Sequence, residues 1–186
     1  MTTVVAPPTT PGLAHGLRRL YYARFGFAIA WAVLLYLTRS DLGPASVALL
    51  VLYPAVDAAA AVVDLRSSRA AGPARALYVN IAVSVLAAVG VAIACTSGVP
   101  AVLRVWGTWA VISGLVQLAI GVARRAVGGQ WPMVLSGGLS VLVGAGFIIA
   151  AGADVPPLAG LAGYAALGGI FFLASALRLG RAAQES

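Results

Sequence analysis

The sequence predicts an all-α fold, a six-helix transmembrane bundle made of three tandem helical hairpins with both termini on the cytoplasmic side. Three observations predict it. Of the 186 residues, 61% are hydrophobic and 9% charged, against roughly half apolar and a quarter charged in a soluble domain. Mean hydropathy is +0.99, so the apolar surface exceeds what one buried core absorbs and lipid is the solvent that fits it. Six separate runs are long enough to span a bilayer, and the arginines sit between them with a strong bias to one side.

The runs follow in order. Tyr21 to Leu37 is interrupted only by Arg24, and Pro44 to Val63 holds Asp57. Ala76 to Cys95 holds Asn80, and Ala101 to Ala123 holds Arg104 near its start and Gln117 further on. Trp131 to Ala151 and Pro157 to Leu177 carry no charge. About twenty residues at ~1.5 Å each cover a hydrocarbon core of ~30 Å. No run alternates apolar and polar residues as a membrane barrel strand does, so the runs read as helices.

The flanks read as tails. Residues 1–16 form a Pro/Thr-rich segment without the opening charge of a signal peptide, expected to be disordered and cytoplasmic, and 182–186 form a short second tail. The membrane domain is expected over 17–180. With the N-terminus inside, Arg18, Arg19, Arg24, Arg66, Arg69, Arg75, Arg124, Arg125, Arg178 and Arg181 lie at the cytoplasmic face, and only Arg39 and Arg104 lie outside. That is the positive-inside pattern.

One register recurs three times along the chain. Pro44, Pro100 and Pro156 share it, as do Arg69, Arg125 and Arg181 at the ends of the second, fourth and sixth runs. Arg19, Arg75 and Trp131 precede the odd runs, and Gly26, Ala82 and Gly138 are all small. The register divides the domain into hairpins over about 17–72, 73–128 and 129–181. All three start inside, so their symmetry axis runs along the membrane normal. A closed pseudo-threefold ring is the simplest arrangement, and an open row satisfies the same pattern.

Asp57 is the sharpest candidate. A carboxylate inside a span costs ~2.5–3.5 kcal/mol on insertion scales, which directs it to the bundle interior and to a partner. It lies seven residues before Asp64, so roughly 10 Å deep, and Arg24 lies roughly 7–8 Å deep from the same side. The pair reads either as a structural ion pair pinning the first helix to the second or third, or as a proton or cation site near the inner leaflet. In the register Arg24 corresponds to Asn80 and Ser136, and Asp57 to Ser113 and Gly169. Asn80, Ser113 and Gln117 are therefore supporting polar candidates, with Gln117 expected to make an interhelical hydrogen bond.

Small residues at heptad spacing mark helix-packing faces: Gly107, Gly114 and Gly121; Gly138, Ala145 and Gly152; Ala162, Gly169 and Ala176. Trp31, Trp106, Trp109 and Trp131, with Tyr21, Tyr22, Tyr36, Tyr53, Tyr78 and Tyr164, fall mostly near span ends and read as an aromatic belt. Arg104 reads as snorkelling to the outer interface.

Several function classes find no support. One Cys (Cys95) and one His (His15) supply neither a zinc constellation nor a bis-His haem site, so no metal or cofactor is expected. No Ser-His-Asp set, paired carboxylates, P-loop or dinucleotide fingerprint is present, so the chain reads as a non-enzyme. The +7 charge sits in short loops between apolar runs, a membrane pattern rather than a nucleic-acid one. The Arg-rich face is expected to attract anionic lipid, and the glycine faces leave room for a homo-oligomer or a membrane-protein partner. Twelve Arg without a Lys, among abundant Ala, Val and Gly, point to a GC-rich bacterial genome.

The stretches RVWGTWAVISGLVQLAIGVARR, GQWPMVLSGGLSVLVGAGFIIAAG and LAGYAALGGIFFLASALRLG carry a shared pattern. An aromatic is followed by a small-residue turn of helix (Trp109 to Gly114, Tyr164 to Gly169) with an Arg at the helix end, then a Gly-rich helix (Ser136 to Gly146) and a Pro-led outer loop. In order and spacing this resembles the HdeD-like proteins, six-span bacterial membrane proteins of short repeats, over about Ala45 to Gly180. The early equivalent is LYPAVDAAAAVVDLRSSR, where Asp57 matches an acidic residue often found before the small position. The resemblance implies an inner-membrane protein without established catalytic residues, linked through the family's named member to acid resistance. It leaves three functional readings: a non-enzymatic protein supporting acid or envelope stress tolerance, a small proton, cation or solute transporter or channel using Asp57, and an accessory subunit of a larger membrane complex.

Overall fold

The computed structural model describes residues 11–67, 74–127, 130–153 and 158–182. Among them there are six α-helices and no strand: α1 (Pro11–Thr38), α2 (Pro44–Ser67), α3 (Ala74–Ala94), α4 (Val99–Ala123), α5 (Trp131–Ala150) and α6 (Ala159–Ala182). All six are long and apolar enough to cross a membrane, and large apolar side chains such as Leu37, Leu86, Leu142 and Ile149 point outward. The chain is a multi-pass membrane protein.

The helices close into a ring, because α1 packs on α6. The most extensive contacts are α4–α5, α1–α6 and α2–α3, and the contacts α3–α4, α1–α2 and α5–α6 are lesser. Close and loose seams thus alternate around the ring, and the close ones lie between the hairpins marked out by sequence. Positions that share the register are buried in step: Tyr21, Leu77 and Met133; Ala28, Ser84 and Ser140; Leu35, Val91 and Phe147; Leu50, Trp106 and Ala162.

Glycine sets the closest seam. A Cβ on Gly114 would lie 2.7 Å from the Gly137 carbonyl oxygen, and one on Gly137 2.8 Å from that of Gly114. Gly107 faces Gly144, and Gly121 faces Val134. The stripe Gly107–Gly114–Gly121 therefore meets α5, but not through the expected stripe. A Cβ on Gly138 would meet nothing within 4 Å; the contacting face is Gly137–Gly144, one residue and ~100° around the helix. Gly169 packs on α1, where a Cβ would lie 3.1 Å from that of Ala28.

The N-terminal boundary changes. α1 begins at Pro11, so residues 11–16 are helical rather than part of a disordered tail. A proline in the first turn loses no intrahelical bond, and Leu17 is already fully buried further along the helix. Residues 1–10 and 183–186, and with them Arg69, Asp154, Pro156, Pro157 and Glu185, lie outside the described residues. Pro44 opens α2 and Pro100 falls in the first turn of α4, while α6 opens at Ala159. Between α3 and α4 the chain turns through a 3₁₀ turn and Gly98 at φ 95°, a conformation that suits only glycine.

The aromatic belt is largely overturned. Trp131, Tyr36 and Tyr78 are exposed, but Trp31, Trp106 and Trp109 lie in the core. With Tyr53 they form one cluster: Trp31 stacks on Trp106 at 5.4 Å between ring centroids, and Tyr53 touches all three tryptophans at 4.6–5.9 Å. Their distance from the span ends permits either placement; ring closure, which sequence position does not reveal, brings them to the axis. Trp31 Nε1 donates to the Leu49 carbonyl at 2.6 Å. Pro54, inside α2, supplies no N–H to the helix ladder.

Candidate functional site: a buried polar network at the arginine-rich end

The first turns of α1, α3 and α5 and the last turns of α2, α4 and α6 share one end of the bundle. Asp57 projects inward from α2 and is buried. Oδ1 accepts from Arg24 Nη2 on α1. Oδ2 accepts from Asn80 Nδ2 at 2.8 Å and from Ser84 Oγ at 2.9 Å, both on α3. Ser84 Oγ in turn accepts from Trp109 Nε1 on α4 at 3.0 Å. The Arg24 guanidinium lies 4.2 Å from the centroid of Phe172 on α6, a cation–π contact. Five of the six helices thus meet around one carboxylate.

Helical spacing explains the arrangement. Asn80 and Ser84 are four residues apart on α3 and share a face. Leu50, Asp57 and Asp64 follow at heptad spacing on α2 and all three are buried. Asp64 continues the stripe toward the helix end, where Arg124, just past α4, donates Nη1 to Oδ2 at 2.7 Å and Nη2 to Oδ1 at 2.8 Å. This is a bidentate ion pair. Burial works against the charge of Arg124, but the hydrogen bonds and charge of Asp64 outweigh it, and the guanidinium pKa rises above its ordinary value.

A cavity of about 50 Å³ lies between the two ion pairs, lined by Arg24, Asp57, Asp64, Arg124, Asn80, Ser113 and Gln117. Its size admits a water molecule or two. The Ser113 hydroxyl, the register counterpart of Asp57, is buried beside it with no hydrogen-bond partner among the described residues. Gln117 Nε2 donates to the Met133 carbonyl on α5 at 3.3 Å. The five polar candidates named from sequence therefore converge on one cavity, whereas the packing candidates Gly107, Gly138 and Gly169 lie on other faces.

Sequence reasoning missed Ser84, Trp109 and the Asp64–Arg124 pair. Ser84 was signalled by its four-residue offset from Asn80, and Asp64 by its seven-residue offset from Asp57. Nothing local marks Arg124 as the partner of a residue 60 positions away. Among the described residues no group of three or more His, Cys, Asp or Glu is placed to hold a metal. The two carboxylates are each matched by a guanidinium, so the network is neutral overall and offers no excess negative charge to a cation.

No family model, curated protein or solved structure matches the chain.

Proposed function

We propose that the chain is a non-enzymatic protein of the bacterial inner membrane, with both termini cytoplasmic, whose two buried ion pairs clasp the cytoplasmic end of a ring of three repeated hairpins. The observation that carries this reading is the saturation of Asp57: Arg24, Asn80 and Ser84 all donate to it. A carboxylate held by three donors from two neighbouring helices is suited to fixing helices rather than exchanging a bound ion. The stepwise burial of register positions supports the repeat, and the arginine bias supports the orientation. The resemblance to the HdeD-like proteins points the protein's work toward acid or envelope stress tolerance, exerted through its lipid- and partner-facing surfaces.

A second reading, a proton or cation pathway through Asp57, draws on the cavity between the two carboxylates. One experiment separates the two. Purified protein and Asp57→Asn are reconstituted into liposomes containing a pH-sensitive dye, and their thermal unfolding is followed in detergent. The clasp reading expects no flux above empty liposomes from either protein and a lower unfolding temperature for Asp57→Asn. Flux in the unsubstituted protein that a folded Asp57→Asn loses transfers the assignment to the second reading. For the physiological role, loss of the gene should lower survival of an acid or envelope challenge, with restoration by the intact gene and not by Asp57→Asn.

A further inference from the structure

A groove of about 350 Å³ lies at the α3–α4 seam, toward the end of the bundle opposite the arginine-rich one. Val83, Leu86 and Ala87 of α3 form one wall. Arg104, Thr108 and Trp109 of α4 line the groove from the other side. Leu86 is 71% exposed, so the groove opens on the lipid side.

The other two hairpins supply an internal control. The register counterparts of Val83 and Ala87 in the first hairpin are Phe27 and Trp31, and these fill the α1–α2 seam by packing on Tyr53 at 5.6 Å and 4.6 Å. The counterpart of Thr108 in the third hairpin is Tyr164, which fills the α5–α6 seam against Phe147 at 5.8 Å. The middle hairpin has small side chains at both places, and its opening of about 350 Å³ compares with about 20 Å³ beside Phe27 and Tyr53 and about 10 Å³ beside Tyr164 in the other two. Arg104 also has no counterpart, since Ala48 and Gly160 occupy its register positions. It is exposed, and no ion pair ties it to a carboxylate among the described residues. The other arginine on that side, Arg39, is folded back on its own helix, over the Tyr36 ring and onto the Tyr36 carbonyl.

We infer that this groove is a binding site for one anionic phospholipid of the adjacent leaflet, with an acyl chain lying against Trp109 between α3 and α4 and the phosphate paired with Arg104. The apolar walls suit a hydrocarbon chain, and the unpaired guanidinium at the rim suits a phosphate. A zwitterionic lipid would fill the same groove without the charge preference.

Tryptophan quenching tests it. Trp131→Phe removes the exposed tryptophan; of the three in the core, Trp31 and Trp106 are 1% and 0% exposed, and Trp109, at 5%, is the one that lines the groove, so quenching by a chain seated there reports on Trp109. In phosphatidylcholine nanodiscs, phosphatidylglycerol with brominated chains should quench about five-fold more effectively than brominated phosphatidylcholine at equal mole fraction, the ratio expected for about 1 kcal/mol per arginine near the surface. Arg104→Gln should bring the two lipids to parity. Ala87→Phe, which copies the filling of the first hairpin, should reduce quenching by both. Equal quenching by the two lipids before Arg104 is changed, or a preference that survives Arg104→Gln, overturns the inference. The Arg104→Gln comparison decides alone if Ala87→Phe fails to fold, because Arg104 is exposed.

Discussion

Arg124 closes on Asp64 through two parallel hydrogen bonds, joining the end of α4 to the last turns of α2 across 60 residues of chain. Both side chains are nearly out of solvent, at 2% and 10% exposed. Removing one partner strands the other charge in a poorly solvated place, at a cost of about 3–5 kcal/mol. Arg124→Gln and Asp64→Asn should therefore each lower the unfolding temperature in detergent by clearly more than a surface change such as Arg66→Gln. The double variant Arg124→Met with Asp64→Leu should recover most of the loss. A double variant no better than either single one would show that the pair does more than hold the helices.

Ser84 stands between two larger groups. It donates to Asp57 and accepts from Trp109, so Ser84→Ala leaves the indole N–H without an acceptor and takes one donor from the carboxylate. The expected cost is roughly 1–2 kcal/mol in chemical or thermal unfolding, with the fold retained. Ser140, its register counterpart on α5, accepts from Tyr164 at 3.0 Å but hydrogen-bonds to no carboxylate among the described residues, so Ser140→Ala should cost less.

These two sites show how far the sequence could be read. Arg24, Asp57 and Asn80 were legible because each is a polar group at a similar depth in an otherwise apolar run, and lipid leaves such groups only the interior. Arg124 was not, because an arginine just past a span looks the same whether it faces water or a buried aspartate. The core position of Trp31, Trp106 and Trp109 was equally hidden. An aromatic near a span end suits the interface or the axis, and only ring closure decides. The choice between Gly138 and Gly137 as the packing face failed for a related reason, since a glycine-rich helix offers small-residue stripes on adjacent faces.

That last ambiguity gives a contrast in side-chain volume. Gly114→Ala puts a methyl group 2.7 Å from a backbone oxygen and 2.8 Å from the Ser140 Cβ. Backbone on both sides leaves no room to yield, so α4 and α5 must separate at a cost of about 1–3 kcal/mol. Gly138→Ala meets nothing within 4 Å and should be neutral or stabilising by up to ~1 kcal/mol, through the lower helix propensity of glycine. Reversal of this order in unfolding measurements would remove the glycine seam from the packing account.

Trp31 and Trp106 are stacked and equally buried, yet differ in their polar atom. Trp31 Nε1 donates to the Leu49 carbonyl at 2.6 Å, whereas Trp106 Nε1 has no hydrogen-bond partner among the described residues. The two Trp→Phe changes remove the same volume, so their difference isolates the hydrogen bond. Trp31→Phe should be the more costly by about 1 kcal/mol. Equal losses would mean that this bond contributes nothing net.

Orientation has its own test. A reporter active only outside the cytoplasm, fused after Ser186, should stay silent, and the same reporter placed between Arg39 and Leu42 should be active. The opposite result inverts the bundle and moves the arginine-rich end to the outside.

The contact of α1 with α6 bears on biosynthesis. The helices leave the ribosome one at a time, so the first to reach the membrane must wait for the last before its most extensive contact can form. Until then the face of α1 that carries Ala28 and the Arg24 guanidinium has neither Gly169 nor Phe172 against it. A nascent chain cut short before α6 would carry an unfilled slot shaped for that helix, and α6 of a neighbouring copy would be the one segment in the membrane that fits it.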